Sequence, residues 1–210
     1  VLHILGKFKF FTHKLIPSAI PRILTHYRRL RFFSLRILII DIQGARVTSV
    51  DPNEILRNAM QRHAGGDISG AVSQVEALLV EYPKFAPGFS YIGQTKVTRL
   101  RQFSDGVTYL NQAVEFGGDD PYILYTAGWC LEYIANALDR PKFKFQAVDG
   151  SAPEFYGRAR ELFLSSLELL REKPDENLRG DVEDMLDVVA SATGEPWDEE
   201  LQEYAPPRIR

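Results

Sequence analysis

The side chains that most often carry reactions are few here and poorly spaced for chemistry. Among 210 residues there are four histidines, His3, His13, His26 and His63. None has a second ligand-type residue at the spacing a metal ion needs. The single cysteine, Cys130, lies in the apolar run "AGWCLEYIANAL", where burial makes a thiol a packing group rather than a nucleophile. One cysteine also excludes an internal disulfide framework. There is no phosphate-binding loop, no G-x-S-x-G elbow and no dinucleotide fingerprint; the glycines of "HAGGDISG" fit a turn between two helices. No enzyme and no cofactor is expected. What the sequence offers instead is contact chemistry, in stretches where aromatic rings and fixed charges sit side by side.

The first such stretch is the N-terminal segment. Residues 1–40 hold eight Lys/Arg and no acid, whereas residues 41–210 hold the other 17 Lys/Arg against all 28 acids, a net of −11. So large a sign asymmetry marks an interaction arm on a domain. If Arg22 to Ile40 is helical, Arg22, His26, Arg29 and Arg36 share one face, opposite Ile23, Tyr27, Leu30, Leu35 and Leu38. The candidate arm contacts are therefore Arg22, Arg28, Arg29, Arg31 and Arg36. A basic amphipathic segment of this kind suits an anionic membrane surface, at about 1 kcal/mol per Lys/Arg near the lipid, or a neighbouring subunit. Nucleic acid ranks below both, because the −11 remainder opposes a polyanion. An organelle-targeting leader and a start placed too far upstream (the first residue is Val) also stay open. No run of 18 apolar residues occurs, since Arg28–Arg31 and Arg36 interrupt the best candidate, so no transmembrane helix is expected. An intracellular protein, peripheral to a membrane if its arm binds lipid, is the expected setting.

The second stretch is Lys142-Phe143-Lys144-Phe145, which alternates charge and ring. It suits an added strand, a partner contact, or a surface loop held down by its two phenylalanines.

Positioning these groups is the task of a recurring pattern. Ile55, Phe89 and Leu124 lie 34 and 35 residues apart, and a small residue follows each by four, at Ala59, Gly93 and Gly128. Downstream in each unit, Ala71-x3-Val75-x2-Leu78 matches Gly106-x3-Leu110-x2-Ala113 and Ala159-x3-Phe163-x2-Ser166. Over residues 52–172 this resembles the tetratricopeptide repeat, a helix-turn-helix unit of about 34 residues. Start signals agree: Asp51-Pro52-Asn53-Glu54 and Ser151-Ala152-Pro153-Glu154 each set an acceptor three residues before Glu, with Pro in the first turn.

The expected fold is all-α: a right-handed α-solenoid of three helix-turn-helix repeats with a C-terminal capping helix. The expected organisation is a basic arm and linker over 1–50, with a strand or hairpin around Gln43-Gly44, then the repeat domain over 51–194. That domain carries an insertion at 139–153 and a capping helix at 175–193; an extended tail over 195–210 follows. The insertion follows from second-helix anchors 53 residues apart where 35 is the norm. In the capping helix Leu178, Val182, Met185, Leu186 and Val189 share one face, with Asp181, Asp184 and Asp187 toward the other. Trp197 in the tail is expected to pack on a neighbouring surface.

The resemblance further implies a concave groove lined by the first helix of each pair, taking a protein subunit or peptide segment. Its groove-facing positions are Tyr122, Tyr125, Trp129, Glu132 and Tyr133 in the third unit. The second unit contributes Ser90, Gln94, Val97 and Thr98, and the first Leu56, Met60 and His63. Tyr and Trp provide large contact areas at low entropy cost. The repeat subtype that clamps a peptide carboxylate uses Lys and Asn at these positions; with Tyr, Trp, Ser and Gln here, that ligand is not implied. Packing beneath the insertion is the competing role for the aromatic set.

Overall fold

The computed structural model describes residues 51–195 together with Trp197–Asp198 and Glu203–Tyr204, all within the unit Thr48–Arg210. The arm contacts Arg22, Arg28, Arg29, Arg31 and Arg36, and the hairpin around Gln43-Gly44, lie outside the described residues.

Among the described residues seven α-helices follow one another: α1 Pro52–Ala64, α2 Ile68–Glu81, α3 Ala86–Thr95, α4 Phe103–Gly117, α5 Pro121–Asp139, α6 Ala152–Glu172 and α7 Glu176–Thr193. A π-helical turn, Lys96–Leu100, continues α3. The helix starts are written in the sequence. Asp51, Asp120 and Asp175 each accept a hydrogen bond from a backbone N–H of the first turn, at 2.9, 2.8 and 3.1 Å, satisfying donors that a helix leaves unpaired. At α6 the Glu154 carboxylate reaches back to accept from the Ser151 N–H at 2.6 Å and its hydroxyl at 2.8 Å. At α1 the Asp51 carboxylate accepts from Asn53 rather than from Glu54, so only the α6 start closes as a box.

Helices pair in order, α1 with α2, α3 with α4 and α5 with α6, and α7 closes the stack against α6. First helices also touch along the stack: α3 meets α5, and α5 meets α7. This is the all-α solenoid with a terminal cap that the repeat pattern implied. Close approach within pairs rests on small residues. A Cβ at Gly93 would lie 2.7 Å from Leu110 Cγ, and one at Gly128 2.7 Å from the Phe163 ring. Ala59, Ala71, Ala113, Ala159 and Ser166 are likewise fully buried. The core falls into two clusters, one around Ala59, Val75 and Ile92, the other around Leu110, Ile134, Phe163 and Leu186.

Two details differ from the sequence reading. Ile55 is half-buried, while Leu56, expected in the groove, is buried beside it; no preceding repeat covers Ile55 among the described residues. Val97, expected in the groove, is fully buried. It lies one helical turn beyond Gly93, and α4 covers it so closely that a Cβ at Gly106 would come within 2.5 Å of its Cγ2. The stretch Lys142–Phe145 takes the loop form among those weighed for it, rather than a strand. In the tail, Trp197–Asp198 pairs antiparallel with Glu203–Tyr204, and Trp197 packs against the larger core cluster, the role expected of it.

Candidate functional site: the aromatic face of α5

Helix α5 is an inner-layer helix flanked by α3 and α7. Eleven of its nineteen residues are buried, yet Tyr122, Tyr125, Trp129 and Tyr133 are all only half-buried. Spacings of three, four and four residues put these rings on one face, so they form a continuous stripe. Tyr122 and Tyr125 meet edge to face at 6.1 Å between ring centroids, and Trp129 and Tyr133 tilt together at 6.5 Å. The bases of the rings are rooted: Tyr125 contacts Phe163 of α6 at 6.2 Å, and Tyr133 meets Phe103 of α4 at 6.2 Å. The rings therefore pack at their inner edges and stay open at their outer ones. Packing therefore accounts for the inner part of each ring, and the outer part stays partly exposed.

The flanking walls differ in character. On the α3 side Gln94 and Thr98 are half-buried and neutral, and the Thr98 hydroxyl donates to the Gln94 carbonyl at 2.8 Å, so it is engaged within its own helix. Ser90 is buried. Further along, Met60 and His63 are half-buried, and His63 Nδ1 lies 2.9 Å from the Tyr91 hydroxyl. Burial lowers the His63 pKa, with the nearby Arg99 charge acting in the same direction.

The α7 wall is acidic. Asp181 and Asp184 are exposed, and both act on the stripe. Burial raises the Tyr122 phenol pKa, and Asp181, Asp175 and Asp120 raise it further. Burial raises Tyr125 strongly, again with Asp181 and Asp184 adding to it. The Asp181 carboxyl is itself raised, first by partial burial and then by Asp184 and Asp175. Sequence reasoning placed these aspartates on the cap's solvent face; only the stacking of α7 beside α5 brings them to the stripe. The sole sequence signal was the acid-rich composition of 172–203, with twelve acids and two bases.

At the other end of the stripe the loop 140–151 closes over the helix. Phe145 stacks on Phe103 at 4.7 Å, Phe143 stacks on Tyr133 at 6.1 Å, and the Arg101 guanidinium lies over the Phe143 ring at 4.1 Å. The Gln146 N–H donates to the Arg101 carbonyl at 2.9 Å. Its side chain exchanges two hydrogen bonds with Asp105, at 3.1 and 3.3 Å. Arg101 has the left-handed φ of +56° that ends the π-helical turn, an uncommon conformation for a side chain with a Cβ. Thus Phe143 and Phe145 are anchors, while Lys142 and Lys144 are exposed. A cavity of about 240 Å³ opens beneath, lined by Glu132, Tyr133, Asn136, Arg140, Lys142 and Phe143. Glu132 is 8% exposed; burial raises its carboxyl pKa, and a hydrogen bond with Asn136 offsets part of this.

Among the described residues no three His, Cys, Asp or Glu side chains converge as metal ligands, and none of the helices described is long and apolar enough to cross a membrane. Cys130 is fully buried, and burial alone pushes its thiol pKa far up. The fold and the face of α5 together define an all-helical solenoid of stacked pairs with an open aromatic surface. A crystal structure of the Yersinia enterocolitica type III secretion translocator chaperone SycD, in an alternative dimer, shares this fold. It matches at a TM-score of 0.52, covering 71% of this chain and 98% of its own at 15% identity. No protein-family model matches the chain, and no curated protein matches it.

Proposed function

We propose that the chain is a non-catalytic protein–protein interaction scaffold of tetratricopeptide type. It holds a peptide segment of a partner along α5, as an accessory or assembly subunit of a larger complex. The observation that carries this reading is the stripe Tyr122–Tyr125–Trp129–Tyr133, four half-buried rings on one face of an inner-layer helix. Aromatic groups rooted in a core and open at the edge lose little entropy when a ligand covers them, the usual physics of binding hot spots. That a chaperone shares the fold supports the same kind of role. The basic segment 1–40 is the second attachment point in this proposal, to an anionic membrane or a neighbouring subunit.

The test is a native pull-down with mass spectrometry, comparing the wild-type chain with Trp129→Ala. Partners retained by the first and lost by the second, at a melting temperature within a few degrees of wild type, support the groove. An identical partner set from both proteins refutes it. Liposome flotation of the full chain against a chain starting at Val50 tests the arm: equal flotation removes membrane docking from the proposal.

A further inference from the structure

Resting on that groove reading, we infer that the occupant of the α5 groove is a cationic, apolar peptide segment. It runs with its Lys/Arg side chains at the Tyr122–Tyr125 end and its apolar residues over Trp129 and Tyr133. The argument is charge complementarity along an asymmetric trough. Asp181 and Asp184 are exposed on the α7 wall, and Asp120 and Asp175 stand at the N-termini of α5 and α7. All four carboxylates act on Tyr122 or Tyr125. Asp120 and Asp175 are partly engaged in capping backbone N–H groups, whereas no described cation forms an ion pair with Asp181 or Asp184. Arg179, the basic residue of α7, pairs at 4.0 Å with Glu176 and donates to the Leu170 carbonyl.

The opposite wall is neutral at Gln94 and Thr98. The far end is mixed, because Arg140 and Lys142 line the same cavity as Glu132. Among the described residues the Tyr122–Tyr125 end therefore favours positive charge, and this sets where the peptide's cations lie. An acidic segment would place like charge against four carboxylates, and a nucleic acid strand would do the same with every phosphate. A guanidinium could instead lie on the tyrosine rings while facing Asp181, gaining cation–π and Coulomb attraction together.

The experiment selects a phage-displayed library of random 12-residue peptides on the full chain, then measures the selected peptides by fluorescence anisotropy. Selected peptides should carry Lys or Arg beside aromatic or aliphatic residues, and their binding should weaken steeply with added salt. The double variant Asp181→Lys/Asp184→Lys changes only exposed side chains. It should lower the affinity of these peptides about tenfold, the scale expected of two rim charge pairs, and should select acidic peptides instead. Peptides that depend on Trp129 but show no excess of Lys/Arg, or that ignore the α7 reversal, overturn the cationic inference and leave the groove standing. If no selected peptide responds to Trp129→Ala, the groove reading itself falls. Should that variant melt early, a benzophenone-bearing peptide cross-linked to the wild-type chain decides the point. Cross-links on α5 support the groove, and cross-links confined to α2, α4 or α6 refute it.

Discussion

Single side chains here divide sharply between packing and contact, and each side of that division can be tested. Gly128 belongs wholly to packing. A Cβ there would lie 2.7 Å from the fully buried Phe163 ring, and a ring held by α5 and α6 has little room to yield. Gly128→Ala should therefore destabilise the fold by about 1–3 kcal/mol, the usual cost of overfilling a core, read as a lower urea midpoint at unchanged slope. Glu132 sits on the border. Its carboxyl is raised above the ordinary 4.5 by burial, so the folded state binds its proton more tightly than the unfolded chain does. Stability from this residue is then largest below the unfolded value and is lost as pH rises through the raised folded value. The hydrogen bond with Asn136 offsets part of the shift without reversing it. Glu132→Gln should raise the melting temperature at pH 7, with the gain shrinking toward pH 4.5; a gain that grows on acidification would contradict the assignment. Cys130 is the simplest of the three. Being buried and held protonated, it should react with a thiol reagent at pH 8 only as fast as the protein opens.

At the scale of elements, much was legible because the helix-pair repeat is written in residue sizes. Small residues at Ala59, Gly93 and Gly128, and the second-helix set from Ala71 to Ser166, mark where backbones approach, and the structure buries them as such. Start signals were equally plain, since Asp and Ser caps act on their own next turn and need no tertiary information. Two features were not legible. The π-helical turn Lys96–Leu100, with Arg101 left-handed, has no local sequence signature; what holds the turn after it is a loop 45 residues onward, through Gln146 and Phe143. The acidic wall was hidden for the same reason: Asp181 and Asp184 look like the solvent face of an amphipathic helix until α7 is laid beside α5. The loop itself yields a prediction at this scale. Phe145→Ala removes its stack on Phe103 and should cost about 1–3 kcal/mol, below the full cost of a buried phenylalanine because Phe145 is half-exposed. Trypsin should then cut faster after the exposed Lys142 and Lys144, while cleavage in α6 stays slow.

Across the whole repeat domain, stability in a solenoid is a sum of pair interiors and nearest-neighbour interfaces rather than one shared core. The described domain has this character, with one core cluster in the first pairs and a larger one running from Val97 and Phe103 to Val189. In such a stack a ligand lying along the inner layer acts on helices that touch sideways, α3, α5 and α7, rather than on the second helices α2, α4 and α6 behind them. Binding of a peptide along the stripe should therefore slow amide hydrogen exchange first in α5 and the facing turns of α3 and α7. α7 should gain most, because among the described residues it packs mainly against α6, with lesser contacts to α5 and the short tail pair, so its opening is cheapest and a ligand bridging α5 to α7 opposes that opening directly. The α1–α2 pair, separated from the stripe by α3, should show little change. Hydrogen exchange with and without a selected peptide distinguishes this from the alternative in which the peptide sits in the open cleft of about 370 Å³ between α2 and α4, lined by Glu76, Leu79, Phe89 and Tyr109. Protection centred on Ile68–Glu81 and Phe103–Gly117, with α7 unchanged, would mean that the functional face is the outer layer and that the aromatic stripe of α5 is packing after all.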